Sequence, residues 1–298
     1  MIIGHTSSIA ILKSALENNQ HHGFLLCGSR GIGKASAAKE LAISILAKAS
    51  PFNATIVQLQ CQAGAYPNYF KVCQSVDDDG KLKNDITIEQ VRSLLNSLKQ
   101  KAAVDGPRII IIDAVDNLNR QAANALLKML EEPPKNAFFL LICHSVGGVL
   151  PTIRSRCLLI NFKLLSDSDM AQAIGQQADP LAISMAAGSP GIYQKILIAG
   201  GSATVLAIQK LLILTNLNDL KSAIQELLKQ SDDTFLGQLL HQFLYQESLK
   251  NPKDYAHSAQ AVERFLRYTH NTHIDGVHRL QALVQLAQNP DQERVIYG

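Results

Sequence analysis

The segment Gly28-Ser29-Arg30-Gly31-Ile32-Gly33-Lys34-Ala35 decides the fold of this chain. It follows the apolar stretch His21–Cys27, which favours a short strand, and it leads into Ala35–Lys48, which favours a helix. A strand, a glycine-rich turn and a helix in this order begin a βαβ unit. The glycines of such a turn let backbone N–H groups converge on phosphates, and the lysine reaches the outer phosphates. The pattern therefore predicts a P-loop.

The candidate nucleotide-binding residues lie in this loop and at the end of a second apolar run. They are Gly28, Gly31, Gly33, Lys34 and Asp113. The last P-loop position is normally a Ser or Thr that holds Mg²⁺, but here it is Ala35, and a methyl group cannot bind a hard cation. Ser36 is adjacent but points to another side of the helix. The loop is therefore either a degenerate site that still holds ATP or phosphate, or only a turn, and the sequence does not decide between them.

The second apolar run, Arg108–Asp113, is typical of a strand that carries the acidic residue of a Walker B motif. An active ATPase of this kind usually has a Glu next, which orients the attacking water. Here the residue is Ala114, which can neither accept a proton nor polarise water. Asp116 lies two residues further on and is expected to face elsewhere. Asp113 can also be interpreted as a residue that caps the end of the strand.

Two more apolar runs complete the pattern of the first half of the chain. Phe138–Cys143 is typical of another buried strand, and Leu158–Phe162 is typical of a last one. From Ser166 onward, apolar residues recur at helical spacing and no convincing strand follows. The sequence therefore predicts a parallel α/β domain that ends near residue 162, followed by helices.

Four further segments resemble the AAA+ subunits of bacterial DNA polymerase III clamp loaders. Asn124–Pro134 resembles the signature helix after Walker B, and Leu150–Cys157 resembles the Ser-Arg-Cys segment of that family. His22–Leu26 fits the stretch that leads into the P-loop, and Ala187–Gly191 resembles the lid of the delta-prime branch. The resemblance covers roughly residues 1–200, and the rest matches only as a generic helical segment.

The resemblance implies three domains. These are an α/β AAA+ domain with a RecA-like parallel sheet at 1–162, a small helical lid at 163–202, and an all-α collar domain for oligomerisation at 203–298.

In the ring-shaped assemblies of this family, the arginine of Ser-Arg-Cys reaches the ATP of a neighbouring subunit, and here that residue is Arg156. Without the surrounding segment, Arg156 would be interpreted as an ordinary surface arginine. Three features of hydrolysing members are missing, because Ala35 replaces the Mg²⁺ ligand, Ala114 replaces the glutamate, and Gly191 stands where the lid arginine belongs. The resemblance therefore implies a subunit without ATPase activity of its own that completes a neighbour's site.

Two other family features are altered. His144, between Cys143 and Ser145, stands at a sensor position that is usually a small polar residue. The zinc module of the family is reduced to Cys61, and a single thiolate cannot hold a structural zinc, so neither zinc nor another metal is expected. The fold of residues 50–75 is left without a prediction. The five cysteines are odd in number and widely spaced, which argues against a disulfide framework.

The partners that the resemblance implies are gamma/tau-type and delta-type clamp-loader subunits, with the sliding clamp and primed DNA reached through the complex. One alternative is an ATP-hydrolysing gamma/tau-type motor, which Ala35, Ala114 and Gly191 disfavour. Another is a DNA-binding module acting alone, for which the helix near Ile86–Gln100 offers only Arg92, Lys99 and the nearby Lys101.

Composition adds limits but no identity. The net charge of +3 is too small to predict nucleic-acid binding by itself. No apolar run approaches the roughly 20 residues that cross a bilayer, and Met1–Leu12 does not resemble a signal peptide. The expected compartment is the cytoplasm, without membrane contact.

Overall fold

The fold is taken from a computed structural model that describes residues 2–19, 21–76, 83, 85–100, 104–175, 178–269 and 274–292. The chain divides into two compact units, Met1–Ala173 and Ile174–Gly298. The division falls inside 163–202, the segment that the sequence analysis assigns to a lid. The three-domain boundaries stay a prediction.

The first unit is a parallel sheet with helices. Its elements in chain order are α1 Thr6–Glu17, β1 Gly23–Cys27, α2 Lys34–Ala49, α3 Ala54–Gln62, β2 Tyr69–Val72, α4 Ile88–Lys99, β3 Arg108–Asp113, α5 Arg120–Glu131, β4 Ala137–Cys143, α6 Pro151–Arg154, β5 Leu158–Asn161 and α7 Asp167–Ile174. The five strands lie in the order β2-β3-β4-β1-β5, and every neighbouring pair is parallel. The predicted parallel α/β domain is confirmed.

The centre of the sheet explains its apolar sequence. Every residue of β1 and of β4 is buried, because helices cover both faces of a parallel sheet. In the register, Cys27 lies opposite Cys143, and Asp113 lies opposite Ile142. The carboxyl ends of β1, β3 and β4 therefore meet at one edge of the sheet, and we call it the carboxyl edge.

Residues 50–75, whose fold was left without a prediction, contain two regular elements. Helix α3 begins after Asn53, whose side chain accepts a hydrogen bond from the backbone N–H of Thr55 at 2.8 Å. Strand β2 pairs only with β3 and forms one border of the sheet. Val57 and Cys61 of α3 are buried, so this segment folds as part of the first unit.

In the second unit, helices and connecting turns account for residues 178–269 and 274–292. The helices are α8 Pro180–Ala186, α9 Pro190–Ile198, α10 Ser202–Leu211, α11 Leu217–Leu228, α12 Asp233–Lys250, α13 Pro252–Tyr268 and α14 Gly276–Gln288. Gly237 marks the close packing of α12, because a Cβ there would lie 2.9 Å from Leu283 and 3.0 Å from Leu266. The predicted all-α carboxyl-terminal region is confirmed for these residues.

In the part of the chain that the structure describes, no single helix is both long and apolar enough to span a membrane. Helices α9 and α10 reach that length and hydropathy only together, and they are bent by 83° relative to each other.

Candidate functional site

The predicted P-loop connects β1 to α2 at the carboxyl edge. Gly28, Gly31 and Gly33 all have positive φ, at 150°, 77° and 99°. At Gly28 the chain also passes very close to the end of β5, since a Cβ there would lie 2.3 Å from the carbonyl oxygen of Phe162. The loop therefore has the backbone that the sequence predicted, and Gly28 is fixed by close packing as well as by its dihedral angle.

Lys34 is turned into its own loop. Its Nζ donates hydrogen bonds to the carbonyl oxygens of Gly28 and Ser29, both at 2.6 Å, and only 3% of the residue is exposed. Burial lowers the pKa of this amine, although the negative charges of Asp113 and Asp116 act in the opposite direction. The side chain predicted to reach phosphates is thus bonded to the loop that carries it.

The residue that follows Lys34 offers no ligand to a magnesium ion. Ala35 and Ser36 are both exposed in the first turn of α2, and Ala35 has no oxygen to offer a cation. Over the described ranges, no three His, Cys, Asp or Glu side chains cluster as a metal site.

The end of β3 carries an acidic residue that is followed by an alanine instead of a glutamate. Asp113 is half-buried at the carboxyl edge, as predicted. Ala114 follows with φ at 72°, a left-handed conformation that is uncommon for any residue but glycine. Its methyl group is buried, so the place of a catalytic glutamate is filled by an apolar side chain.

Asp116 is the residue that the sequence analysis undervalued. Its Oδ2 accepts hydrogen bonds from the backbone N–H groups of His144 and Ser145, both at 3.1 Å, and its Oδ1 lies 3.4 Å from Nδ1 of His144. Burial raises the pKa of this carboxyl, but the contacts with His144 outweigh it and the pKa is lowered overall. Asp116 therefore joins the end of β3 to the loop after β4 and fixes the predicted sensor position.

Arg156 lies in the turn between α6 and β5. Its Nη1 donates to the carbonyl oxygen of Thr152 at 2.9 Å and lies 3.5 Å from Oγ of Ser155. Its Nη2 forms an ion pair with Oε1 of Glu131 at 2.7 Å. The side chain is 37% exposed, so the guanidinium is anchored on one side and open to solvent on the other.

Gly23, the first residue of β1, supports the backbone of this arginine. A Cβ at Gly23 would lie 2.9 Å from Sγ of Cys157, 3.2 Å from the carbonyl oxygen of Arg156 and 3.2 Å from Cδ2 of Leu130. Burial raises the pKa of the Cys157 thiol to about 12, so this side chain packs as a neutral group. The absence of a side chain at Gly23 allows the arginine segment to lie against the first strand.

The structure separates the two groups of predicted site residues. The P-loop and Asp113 are at the carboxyl edge, whereas Arg156 precedes β5 and lies beside Gly23, at the opposite edge. Between Gly23 and Gly28 the chain advances five residues, or roughly 16 Å at about 3.3 Å per residue. This exceeds the reach of an arginine side chain, so Arg156 cannot serve the P-loop of its own chain.

The basic residues considered for DNA binding lie partly within the structure. Arg92 and Lys99 are exposed on α4, whose buried face is Val91, Leu94 and Leu98. Lys101 lies outside the described residues. An exposed basic face of this size is normal for a solvated helix.

A parallel sheet in the order β2-β3-β4-β1-β5, with a P-loop at its carboxyl edge and a helical region after it, is the fold of the AAA+ class. A solved structure of a DNA polymerase III gamma subunit-related protein from Thermotoga maritima has this fold as well, with a TM-score of 0.55 over 94% of this chain and 98% of that one. The two sequences are only 16% identical, so this likeness concerns the fold alone.

The family model described as "DNA polymerase III, delta subunit" matches residues 4–166, which is more than half of the chain. The chain belongs to this family, and its predicted resemblance to delta-prime clamp-loader subunits is confirmed.

Curated relatives are similar over part of their length. The delta-prime subunit of Pseudomonas aeruginosa is 36% identical over 47% of this chain and 42% of its own length. The delta-prime subunit of Haemophilus influenzae is 33% identical over 48% of this chain and 43% of its own length. The tau/gamma subunit of Haemophilus influenzae is 31% identical over 57% of this chain and 24% of its own length. The chain spans less than half the length of each of these relatives.

Proposed function

We propose that this chain is a non-hydrolysing subunit of the clamp loader of the replicative DNA polymerase, and that it supplies Arg156 to the ATP bound by a neighbouring subunit. The observation that carries the proposal is the position of Arg156, exposed at the edge of the sheet opposite the P-loop of its own chain. An arginine supplied in trans stabilises the charge that develops during phosphoryl transfer.

The chain's own nucleotide site supports the same proposal. Lys34 is bonded to loop carbonyls, Ala35 offers no oxygen to Mg²⁺, and Ala114 offers no group to water. Gly191 stands where hydrolysing members of the family carry a lid arginine. These features disfavour the gamma/tau-type motor, although the chain is also similar to tau/gamma subunits.

The remaining assignments follow from this role. The partners are a gamma/tau-type subunit and a delta-type subunit, and the sliding clamp and primed DNA are engaged through the complex. No cofactor is required for this subunit's part, because Ala35 offers no oxygen to Mg²⁺ and Cys61 alone cannot hold a structural zinc. The compartment is that of chromosomal replication, the cytoplasm.

The test is DNA-stimulated ATP turnover by a loader reconstituted with gamma/tau-type and delta-type subunits. Arg156→Ala should lower turnover about tenfold or more, because arginines supplied in trans contribute ~10³–10⁵ in comparable systems. Arg154→Ala is the matched control, since Arg154 is also exposed on the same segment, and it should leave turnover close to that of the unmodified complex.

The variants must first be shown to assemble, by gel filtration of the complex. If the Arg156→Ala complex assembles and turns over ATP at the unmodified rate, the proposed role of Arg156 is wrong. If the isolated chain hydrolyses ATP at a rate comparable to that of the motor subunit, the non-hydrolysing assignment is wrong.

A further inference from the structure

The contact between Glu131 and Arg156 joins two segments that are far apart in the sequence. Glu131 is the last residue of α5, and its Oε1 lies 2.7 Å from Nη2 of Arg156. The other terminal nitrogen, Nη1, donates to the carbonyl oxygen of Thr152 at 2.9 Å. The two ends of the guanidinium are therefore held by two different elements, α5 and α6.

Two anchors of this kind restrict a long side chain. An arginine has large rotamer entropy, and its planar guanidinium keeps the direction that two separate contacts give it. The Thr152 carbonyl alone would fix one nitrogen and leave the plane free to turn about it. Adding Glu131 fixes the plane, while 37% of the side chain stays exposed for an outside ligand.

Helix stability does not explain a carboxylate at this position. Glu131 lies in the last turn of α5, where the negative end of the helix dipole disfavours an acidic side chain. Glu132 follows directly as the C-cap residue and adds a second negative charge. A residue that breaks a local rule in this way is expected at a functional position, and here the compensating contact is the arginine.

The backbone on both sides of the ion pair is also fixed. Leu130, next to Glu131, and the carbonyl of Arg156 both approach Gly23 closely, at 3.2 Å from an added Cβ. The end of α5 and the arginine segment thus pack on the same residue of the first strand. The distance between Glu131 and Arg156 is set by this packing as well as by the charges.

We propose that Glu131 is a positioning residue, which orients the Arg156 guanidinium before a neighbouring subunit's ATP binds to it. This inference rests on the proposed function, because only the proposed function gives Arg156 a ligand outside its own chain. Glu131 does not touch the nucleotide. It lowers the entropy that Arg156 loses when the guanidinium meets the phosphates, as preorganisation does in other binding and catalytic sites.

The test uses the reconstituted loader with Glu131→Gln, which keeps the shape of the side chain and removes its charge. The kcat of DNA-stimulated ATP turnover should fall about two- to fivefold, the range that an exposed ion pair supports, with little change in KM for ATP. Glu131→Asp should recover part of the loss, because it restores the charge on a shorter side chain. Glu132→Gln is the matched control and should behave like the unmodified subunit.

A double-variant comparison separates positioning from a general effect on folding. In the Arg156→Ala background, Glu131→Gln should have no further effect on kcat, since its only proposed action is through the arginine. An additive loss in the double variant would overturn the inference, as would an unchanged or increased kcat for Glu131→Gln alone. If Arg156→Ala itself has no effect, the proposed function fails first, and the two failures are thereby distinguished.

Discussion

The P-loop and the arginine segment are built from the same kinds of parts but are oriented in opposite ways. Each places a basic residue next to a glycine at one end of β1: the Lys34 side chain bonds to the Gly28 carbonyl, and the Arg156 backbone packs on Gly23. Lys34 is 3% exposed and bonded to its own loop. The side chain of Arg156 is 37% exposed and faces solvent.

This difference teaches where a function can be lost without losing the fold. A P-loop lysine that bonds to its own loop carbonyls contributes to the packing of the strand-turn-helix unit without any ligand. An exposed arginine makes no comparable contribution to the core, so its retention needs a different reason. Under the proposed function, the P-loop contributes to stability and the arginine segment contacts a partner, and substitutions can separate these two roles.

The largest effect is expected at Gly28. Gly28→Ala should lower the free energy of unfolding by about 3 kcal/mol, because the new Cβ would clash with the Phe162 carbonyl at 2.3 Å and φ is 150°. Gly33→Ala is the control, with φ at 99° but no atom within 4 Å of the added Cβ, and it should cost only about 1–2 kcal/mol. Denaturant unfolding measures both, and equal losses would contradict the role given to close packing at Gly28.

At Gly23 we expect a smaller loss of stability than at Gly28, together with a loss of ATP turnover by the reconstituted loader. Gly23→Ala should cost about 2 kcal/mol by overpacking against Cys157, and it should also lower turnover of the reconstituted loader because the Arg156 backbone must shift. Gly147→Ala has room for its methyl group, with the nearest atom at 3.9 Å, and should change neither quantity. If Gly23→Ala lowered the free energy of unfolding but left ATP turnover of the loader intact, packing at Gly23 would not be needed to position Arg156.

The smallest effect is expected at Asp116. Asp116→Asn should lower the free energy of unfolding by about 1 kcal/mol at pH 7, because the hydrogen bonds from His144 and Ser145 lose a charged acceptor. The pKa of Asp116 is lowered in the folded state from its usual 3.8, so the stabilisation is complete well above pH 3.8 and is lost as the pH falls through the lowered value. The difference in the free energy of unfolding between the unmodified chain and the variant should therefore shrink below pH 3.8.

Denaturant unfolding at several pH values measures this difference for Asp116→Asn, with Asp105→Asn, at an exposed position, as control. A difference that grows on acidification would contradict this account.

The sequence predicted most of the sheet because apolar runs identify strands. β1, β3, β4 and β5 were all found in this way, although only Ile160 of β5 is buried. β2 was missed because an exposed lysine, Lys71, interrupts its apolar residues, whereas β5, equally short and also at a border, begins with three apolar residues in a row. Its place is set by pairing with β3, which no local pattern reveals.

The candidate site was predictable only where its residues follow one another in the chain. The glycine loop and the Ser-Arg-Cys segment carry their pattern locally, so Lys34 and Arg156 could be named in advance. The direction of Lys34 could not, because it depends on loop carbonyls that only the folded backbone brings near. The pairs Asp116–His144 and Glu131–Arg156 join residues more than twenty positions apart, and a single sequence contains no signal for them.

The left-handed backbone at Ala114 has an evolutionary consequence. Restoring a glutamate there would put a long, charged side chain on a residue with φ at 72° and in a buried position. The change would gain no hydrolysis by itself, since Ala35 would still leave the cation without its ligand and Lys34 would still be bonded to the loop. Under the proposed function, this single step back towards an ATPase would therefore give a less stable protein with no new activity. The backbone at Ala114 thus disfavours the glutamate that an ATPase needs at this position.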